Sequence, residues 1–488
     1  MYRGSDGGRK LPPSDRPKEI VEKGKISVIH QYRNNGYNIV MDVNSGSVHV
    51  VDDCVYEVLP AVEQLFAQGN RDRESILDAM LKGGYHFEEQ ELSEAVDEIL
   101  ELAEAEQLFT EDIYEKYIGD FKNRQTVVKA LCLHVAHDCN LACRYCFAEE
   151  GEYHGRRAIM SFEVGKKALD FLVASSGNRV NLEVDFFGGE PLMNWQVVKD
   201  LVAYARSIDK QHNKHFRFTL TTNGMLVNDE VIDFCNKEMD NVVLSLDGRK
   251  EVNDRFRKTV SGVGSFDVIV PKFVKFAKAR GNREYYMRGT FTHFNPDFMK
   301  DIDVMLDLGF DRLSMEPVVC EPNSPYALTE EDKKIICRQY ELLAEKMIAR
   351  RKEGKPFVFY HYMLDLQHGP CIYKRISGCG SGTEYMAVTP KGDFYPCHQF
   401  VGDEKYLIGN VYDGVTNTAV RDNFKKCNVY SRKECDDCWA RLYCSGGCAA
   451  NSYHATGNIN GVYAYGCDLF RKRMECALAV AASQALDK

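Results

Sequence analysis

The sequence predicts an α/β protein built on a parallel sheet, and three observations carry this. Apolar strand-like runs alternate with helical patterns from Val127 to Glu316, and such alternation implies parallel strands joined by helical crossovers. The chemically distinctive residues of that region fall just past the ends of the runs, where barrel-type α/β enzymes place their chemistry. Cysteines cluster at both ends of the region: Cys139, Cys143 and Cys146 early, and a set from Cys371 to Cys467 late.

Composition sets the frame. The chain has 488 residues, 44% of them hydrophobic and 27% charged, with room for about three domains at ~150 residues each. A formal net charge of −10 and a pI near 5.8 argue against a nucleic-acid or anionic-membrane partner. No run reaches the ~18 apolar residues that suggest a membrane span. Residues 1–25 are polar and charged, carry Pro and Gly, and have no apolar signal core. They are expected to be a disordered lead-in, and the chain is expected to be cytoplasmic. Eighteen cysteines in such a compartment point to metal ligation rather than disulfides. Cys54, Cys132, Cys235, Cys320, Cys337, Cys427 and Cys476 stand apart from the clusters and read as small buried hydrophobes.

The first folded stretch is expected over residues 26–111. Tyr37 to Val43 and Val48 to Val51 alternate like strands around the Asn44-Ser45-Gly46 turn. Helical patterns follow at Val55 to Gln68, Asp72 to Lys82 and Glu88 to Glu106. A hairpin plus three helices is the layout of a small winged helix. Its third helix is strongly acidic and would repel phosphates. The module resembles the RiPP recognition element, a PqqD-like domain. That resemblance implies capture of a leader peptide as an added strand at the sheet edge. A structural appendage that binds nothing is the alternative.

Residues 112–126 read as a linker and 127–321 as the catalytic α/β domain. Its strands are expected at Val127 to Val135, Asn181 to Phe187, Phe216 to Thr221, Asn241 to Leu246, Tyr285 to Thr290 and Arg312 to Glu316. The first leads into Cys139-Asn140-Leu141-Ala142-Cys143-Arg144-Tyr145-Cys146. Three cysteines in eight residues also suit half of a zinc site. A [4Fe–4S] cluster held by three thiolates keeps one iron without a protein ligand, and an open position marks a catalytic metal site. The C-x3-C-x2-C spacing, with Tyr145 before the last cysteine, resembles the signature of the radical S-adenosylmethionine (SAM) enzymes. The resemblance implies a partial (β/α)6 barrel, with SAM bound through its amino and carboxylate groups to the open iron.

Other elements of that resemblance follow along the chain. Gly188-Gly189-Glu190-Pro191 matches the stretch that contacts the SAM amino group. Two glycines let backbone approach closely. Ser245-Leu246-Asp247-Gly248 matches another element, with Ser245 toward the ribose or carboxylate. Arg257 suits bidentate recognition of the SAM carboxylate; a solvated basic face with Arg255 and Lys258 is the alternative. Arg288 is a weaker candidate for the same work.

Residues 322–367 read as a helical bridge, and residues 368–488 as an iron–sulfur domain with a C-terminal helix. Cys379, then Gly392 and Cys397, then Cys435-x2-Cys438-x5-Cys444-x3-Cys448, and last Cys467 closely resemble the SPASM pattern. That resemblance implies two auxiliary [4Fe–4S] clusters, making three in all. Cys435, Cys438, Cys444 and Cys467 would hold one; Cys379, Cys397 and Cys448 would hold the other, with Cys371 as its possible fourth ligand.

As a whole, residues 26–476 resemble the radical SAM/SPASM maturases of SCIFF peptides (six cysteines in forty-five residues). The resemblance implies thioether formation between a peptide cysteine and a carbon, expected at Cα, in a ribosomally synthesised precursor. A low-potential electron donor and an anaerobic bacterial host go with it. The alternative enzyme is a formylglycine-forming sulfatase maturase. Such enzymes typically carry an aspartate after the Pro-Cys element, where this chain has His398, itself a candidate base. A non-catalytic iron–sulfur or zinc protein that binds peptides is the third reading, and it would have no use for Gly188 to Pro191 or Ser245.

Overall fold

The computed structural model describes residues 29–486 except 124, 156, 322, 365 and 367–370. The lead-in expected over residues 1–25 lies outside the described residues, as do residues 367–370, where the bridge was expected to meet the last domain.

The N-terminal sheet has three antiparallel strands rather than two. β1 (Ile29–Asn34), β2 (Tyr37–Asp42) and β3 (Val48–Val51) run in that order. β1 was not foreseen because Ile29-His30-Gln31-Tyr32-Arg33-Asn34 is polar and half-buried. Its signal is the Asn35-Gly36 turn, with both residues at positive φ, the backbone of a tight hairpin. α1 (Asp53–Ala67), α2 (Arg73–Lys82) and α3 (Glu89–Glu104) follow. Asp52 caps α1 by accepting from Val55 N, and Asp72 caps α2 by accepting from Ser75 N. One face of the sheet, Val40 and Val51, packs on Val55, Val58, Ile76 and Val96 of these helices.

The stretch expected to be a linker is not a free connection. It forms the short helix α4 (Ile118–Asn123). Tyr114 and Ile118 pack with Ile376, Val429 and Leu442 of the C-terminal domain. Asp112 accepts from Tyr430 Oη at 2.9 Å and pairs with Arg441 at 3.1 Å.

The catalytic domain contains β4 (Ala130–His137), the two-residue β5 (Ala158–Ile159), α5 (Phe162–Ser175), β6 (Asn181–Gly188), α6 (Trp195–Ile208), β7 (His215–Thr222) and α7 (Asp229–Glu238). It continues with β8 (Asn241–Ser245), α8 (Lys250–Phe256), α9 (Phe266–Arg280), β9 (Tyr286–Phe291), α10 (Met299–Asp307) and β10 (Arg312–Pro317). β4, β6, β7, β8, β9 and β10 are parallel neighbours in sequence order. This is the six-stranded partial barrel. Strand periodicity sorts the side chains. Leu182, Val184, Phe186, Phe216, Phe218 and Leu220 are buried in the layer shared with the helices, while the alternate positions face the concave side.

α11 (Glu330–Lys352) and β11 (Val358–Phe359) follow, and β11 extends the sheet beyond β10. The C-terminal domain comprises α12 (Ile372–Ser377), β12 (Tyr385–Val388), β13 (Asp393–Tyr395), β14 (Gly409–Asn410), β15 (Gly414–Val415), α13 (Thr418–Lys426), α14 (Arg441–Cys444), α15 (Ala449–Thr456) and α16 (Ala464–Leu486). β12 pairs in parallel with β4, Ala387 opposite Cys132. The barrel sheet therefore continues into this domain at its first strand, bringing the second cysteine set beside the first. α16 closes the structure: Met474, Leu478 and Ala479 pack on Ile39 and Met41, the other face of the N-terminal sheet.

Candidate active site

The first cysteine set sits on the loop leaving β4. The loop is zipped to the segment after α8: Ala142 N donates to Lys258 O at 2.7 Å, Arg144 N to Phe256 O at 3.3 Å, and Leu141 bridges to Thr259. Cys139, Cys143 and Cys146 line one cavity of about 220 Å³ at the C-terminal end of the barrel strands. Cys139 Sγ accepts from Leu141 N at 3.4 Å and from Asn223 Nδ2 at 3.6 Å. Such donors favour a thiolate, the form a metal binds. Burial, with repulsion among neighbouring thiolates, pushes the Cys139 and Cys143 thiols up to about 12. A cation in the cavity is what would hold them ionised. Among the described residues, no three His, Cys, Asp or Glu side chains close on a single-ion site. A cubane spreads its thiolates over separate irons, and three cysteines on one cavity suit a cluster that keeps one iron open.

Gly188 and Gly189 line this cavity, and their close approach is to protein backbone. A Cβ on Gly188 would lie 2.2 Å from Ala136 O, and one on Gly189 2.2 Å from Asp138 O. Gly189 N donates to Ala136 O at 2.8 Å, and Glu190 N to Asp138 O at 2.9 Å. The pair thus lays the end of β6 on the root of the cysteine loop. Glu190 and Pro191 are buried behind the wall and do not line the cavity. The Glu190 carboxylate accepts from Leu192 N (3.0 Å), Thr222 Oγ1 (2.8 Å) and Asn223 N (2.8 Å). Burial still pushes its pKa up to about 7 against those bonds. In this structure Glu190 is a positioning residue: it holds Asn223, and Asn223 donates to Cys139.

Ser245 and Arg257 also line the cavity. Asp247, fully buried, accepts from Tyr145 Oη at 2.7 Å and from Thr290 N at 3.0 Å. Arg257 Nε pairs with Asp247 Oδ2 at 3.1 Å. Asp247 and Tyr145 are therefore anchors beneath Arg257, and the guanidinium is positioned for a carboxylate. The guanidinium of Arg257 and the three cysteines on one cavity fit a cluster with SAM bound to it.

The rest of the cavity wall includes residues the sequence did not single out. Thr221, Thr222, Asn223, Thr290 and Glu316 lie at or just past barrel strand ends, a position legible in the sequence, though their roles are not. Arg288 lines the same wall, half-exposed, with Nη2 3.9 Å from Glu316 Oε1. Burial alone would raise Glu316, but His361 at 2.9 Å, with Arg288 and Arg473, pulls it down to about 2. His398 reaches the cavity between Phe147 and Phe187, with ring centroids at 5.4 and 5.3 Å. Burial, then the charge of Arg288, lowers its pKa to about 4.

The second cysteine set falls into two groups. Cys379, Cys397 and Cys448 are close enough to disfavour one another's thiolates. Cys435, Cys438, Cys444 and Cys467 form another such group. Cys371 is exposed at the start of α12. Cys54, Cys132, Cys235 and Cys476 are buried; Cys320, Cys337 and Cys427 are partly so.

Comparison with known proteins agrees with this layout. Residues 133–308 match the radical SAM superfamily, and residues 379–439 match SPASM, an iron–sulfur cluster-binding domain. The radical SAM cyclopropyl synthase TigE of Paramaledivibacter caminithermalis is 22% identical over 372 residues, 70% of this chain and 72% of TigE. A cysteine-type anaerobic sulfatase-maturating enzyme of Clostridium novyi is 26% identical over 336 residues, 64% of this chain and 86% of that enzyme. Among solved structures, native anSMEcpe with bound AdoMet superposes with a TM-score of 0.60 at 21% identity, covering 73% of this chain and 99% of the other. Streptococcus suis SuiB bound to S-adenosylmethionine gives 0.51 at 16% identity, covering 89% and 97%. The chain carries a radical SAM domain followed by a C-terminal SPASM domain. No helix among the described residues is long and apolar enough to cross a membrane.

Proposed function

We propose that this radical SAM enzyme forms a thioether crosslink in a ribosomally synthesised, cysteine-rich peptide. The observation that carries the reading is the shared cavity. Cys139, Cys143 and Cys146 line it, and so do His398 and Gln399, directly after Cys397. The segment that leaves Cys397 therefore lines the same space as the cysteine loop.

Cys139, Cys143 and Cys146 would hold a cluster with one iron left for SAM. When bound, that pair supplies a 5′-deoxyadenosyl radical able to abstract hydrogen from carbon. Arg257, anchored by Asp247, takes the SAM carboxylate. Ser245 and Thr222 are within the same cavity for the ribose and amino ends. Arg288, Glu316 and His361 offer a polar arm for peptide backbone or side chains. Phe147, Phe187 and Tyr153 exclude water from the reacting carbon. One C–H and one S–H bond are broken and one C–S bond is made. The first hydrogen leaves as an atom, and the second leaves as a proton together with an electron. Iron–sulfur clusters held by the two C-terminal cysteine groups would receive that electron, and a low-potential donor would supply the one used at the start.

The N-terminal module is assigned to the leader. Neither β1 nor β3 has a backbone ladder on its outer edge among the described residues, as strand addition requires. The 89% coverage by the SuiB fold is more than residues 112–488 could supply, so that likeness reaches into the module.

The test is anaerobic reconstitution with iron and sulfide, then SAM, reductant and a candidate cysteine-rich peptide. A mass loss of two hydrogens that survives thiol reduction and blocks alkylation of one cysteine is expected. Loss of two hydrogens with every thiol still alkylatable would rule out the thioether. An aldehyde in place of a cysteine or serine would favour the sulfatase-maturase reaction, which the clostridial relative makes the second reading. A fully inert protein that leaves SAM uncleaved would favour a peptide-binding iron–sulfur protein.

A further inference from the structure

Arg432 is almost fully buried, at 2% exposure. Its guanidinium donates to Ile459 O at 2.9 Å, Gly461 O at 3.2 Å, Asn428 O at 3.5 Å and Cys427 Sγ at 3.2 Å. Among the described residues no carboxylate pairs with it. Arg471, beside the same cysteines, is different: Asp468 pairs with it. A buried, unneutralised guanidinium is costly, and the chain has made room for this one. A Cβ on Gly446, between Cys444 and Cys448, would lie 2.3 Å from Arg432 Nη1.

Its surroundings identify the missing counter-charge. Cys435 N donates to Arg432 O at 2.9 Å, and the guanidinium crowds Gly446 between Cys444 and Cys448. It also reaches the other group, because Arg432, Cys427 and Cys379 line one small cavity. Arg432 therefore sits between both auxiliary cysteine groups, and four thiolates around a cubane give a net anion.

We propose that Arg432 is the shared counter-charge of the two auxiliary iron–sulfur sites and poises both of them to accept an electron. A fixed cation beside an anionic cluster stabilises the reduced form and raises its potential. Cys427, which reads in sequence as an isolated hydrophobe, is the contact that ties the cation to the first group. The inference rests on the auxiliary-cluster reading of these cysteines and is independent of which bond the enzyme makes.

The experiment uses the full chain with Cys139, Cys143 and Cys146 replaced by Ala, so that only auxiliary clusters load. Iron and sulfide are counted, and an EPR-monitored redox titration gives the midpoints. Arg432→Gln is expected to make electron acceptance at least tenfold less favourable, a midpoint about 59 mV lower for a one-electron couple. Arg432→Lys, which keeps the charge, is expected to stay within threefold of the parent, as is Arg471→Gln. Unchanged midpoints in Arg432→Gln, or an equal shift in Arg432→Lys, would overturn the proposal. If Arg432→Gln does not load, a loaded Arg432→Lys with parent-like midpoints supports it. Failure of both to load overturns it, since packing rather than charge is then what the site needs. A parent protein that takes up no iron would overturn the auxiliary-cluster reading itself.

Discussion

At the residue scale the concave side of the barrel is polar, and it sets a pH dependence. Asp185 on β6 faces Cys132 and Thr219 across the parallel ladder. Burial, reinforced by Glu183, raises its pKa from 3.8 to about 7. The native state therefore binds this proton more tightly than the unfolded chain does. The sign follows: Asp185 costs nothing below pH 3.8, and its penalty grows as pH rises until about 7. Asp185→Asn is expected to stabilise the protein at pH 8 by up to about 4 kcal/mol, the worth of some three pKa units, and by much less at pH 5. Denaturant titrations at the two pH values check it; an equal gain at both would refute the assignment. The cysteines give a sharper residue-scale outcome. Cys139→Ala, Cys143→Ala or Cys146→Ala is expected to abolish 5′-deoxyadenosine formation, while the far-ultraviolet circular dichroism of the protein stays the same. Residue types and spacing singled out these three cysteines, which the fold brings to one cavity, and the seven of the C-terminal domain. The sequence could not show that Glu190 turns away from the cavity to hold Asn223, because that depends on which hydrogen-bond donors the fold brings within reach.

At the element scale the parallel strands were legible in two ways: β4 is a nearly continuous apolar run buried throughout, whereas β6 and β7 alternate buried apolar residues with polar ones. β4, β6, β7, β8, β9 and β10 fall close to the runs seen in sequence. β1 and α4 escaped for a shared reason. Each is stabilised by tertiary contact rather than by its own pattern: β1 by Tyr32 Oη donating to Glu475 O at 2.9 Å and by His30 stacked on Trp439 at 3.8 Å, and α4 by Ile118 against Leu442. Those contacts predict where the N-terminal sheet is vulnerable. Met41 is fully buried against Met474 and Leu478. Met41→Ala is expected to cost about 2–5 kcal/mol. The loss belongs to the sheet–α16 interface, so limited proteolysis is expected to open at residues 29–51 first, while SAM cleavage persists. Protection identical to the parent would mean that the sheet is held by α1 to α3 alone.

At the scale of the whole molecule, α16 joins all three parts. Its first turn carries Cys467 of an auxiliary group, Lys333 on α11 pairs with its Asp468 at 2.7 Å, and its later turns bury the N-terminal sheet. The module is thus part of the fold of the iron–sulfur domain as well as the candidate leader-binding site. Arg441 makes the same point, donating to Asn44 Oδ1 at 2.7 Å only three residues before Cys444. Deleting residues 1–110 is therefore expected to have two separable effects. Leader-bearing peptide binding falls, which fluorescence anisotropy reads. The melting temperature and the iron content also fall, because Met474, Leu478 and Trp439 lose their cover and the Cys435–Cys467 group loosens. With three clusters the parent would hold about twelve irons, and loss of one cluster removes about four. A truncated chain with parental iron and parental melting temperature but no leader binding would make the module a pure recognition element. Full iron, full stability and undiminished leader binding would leave it no role in either.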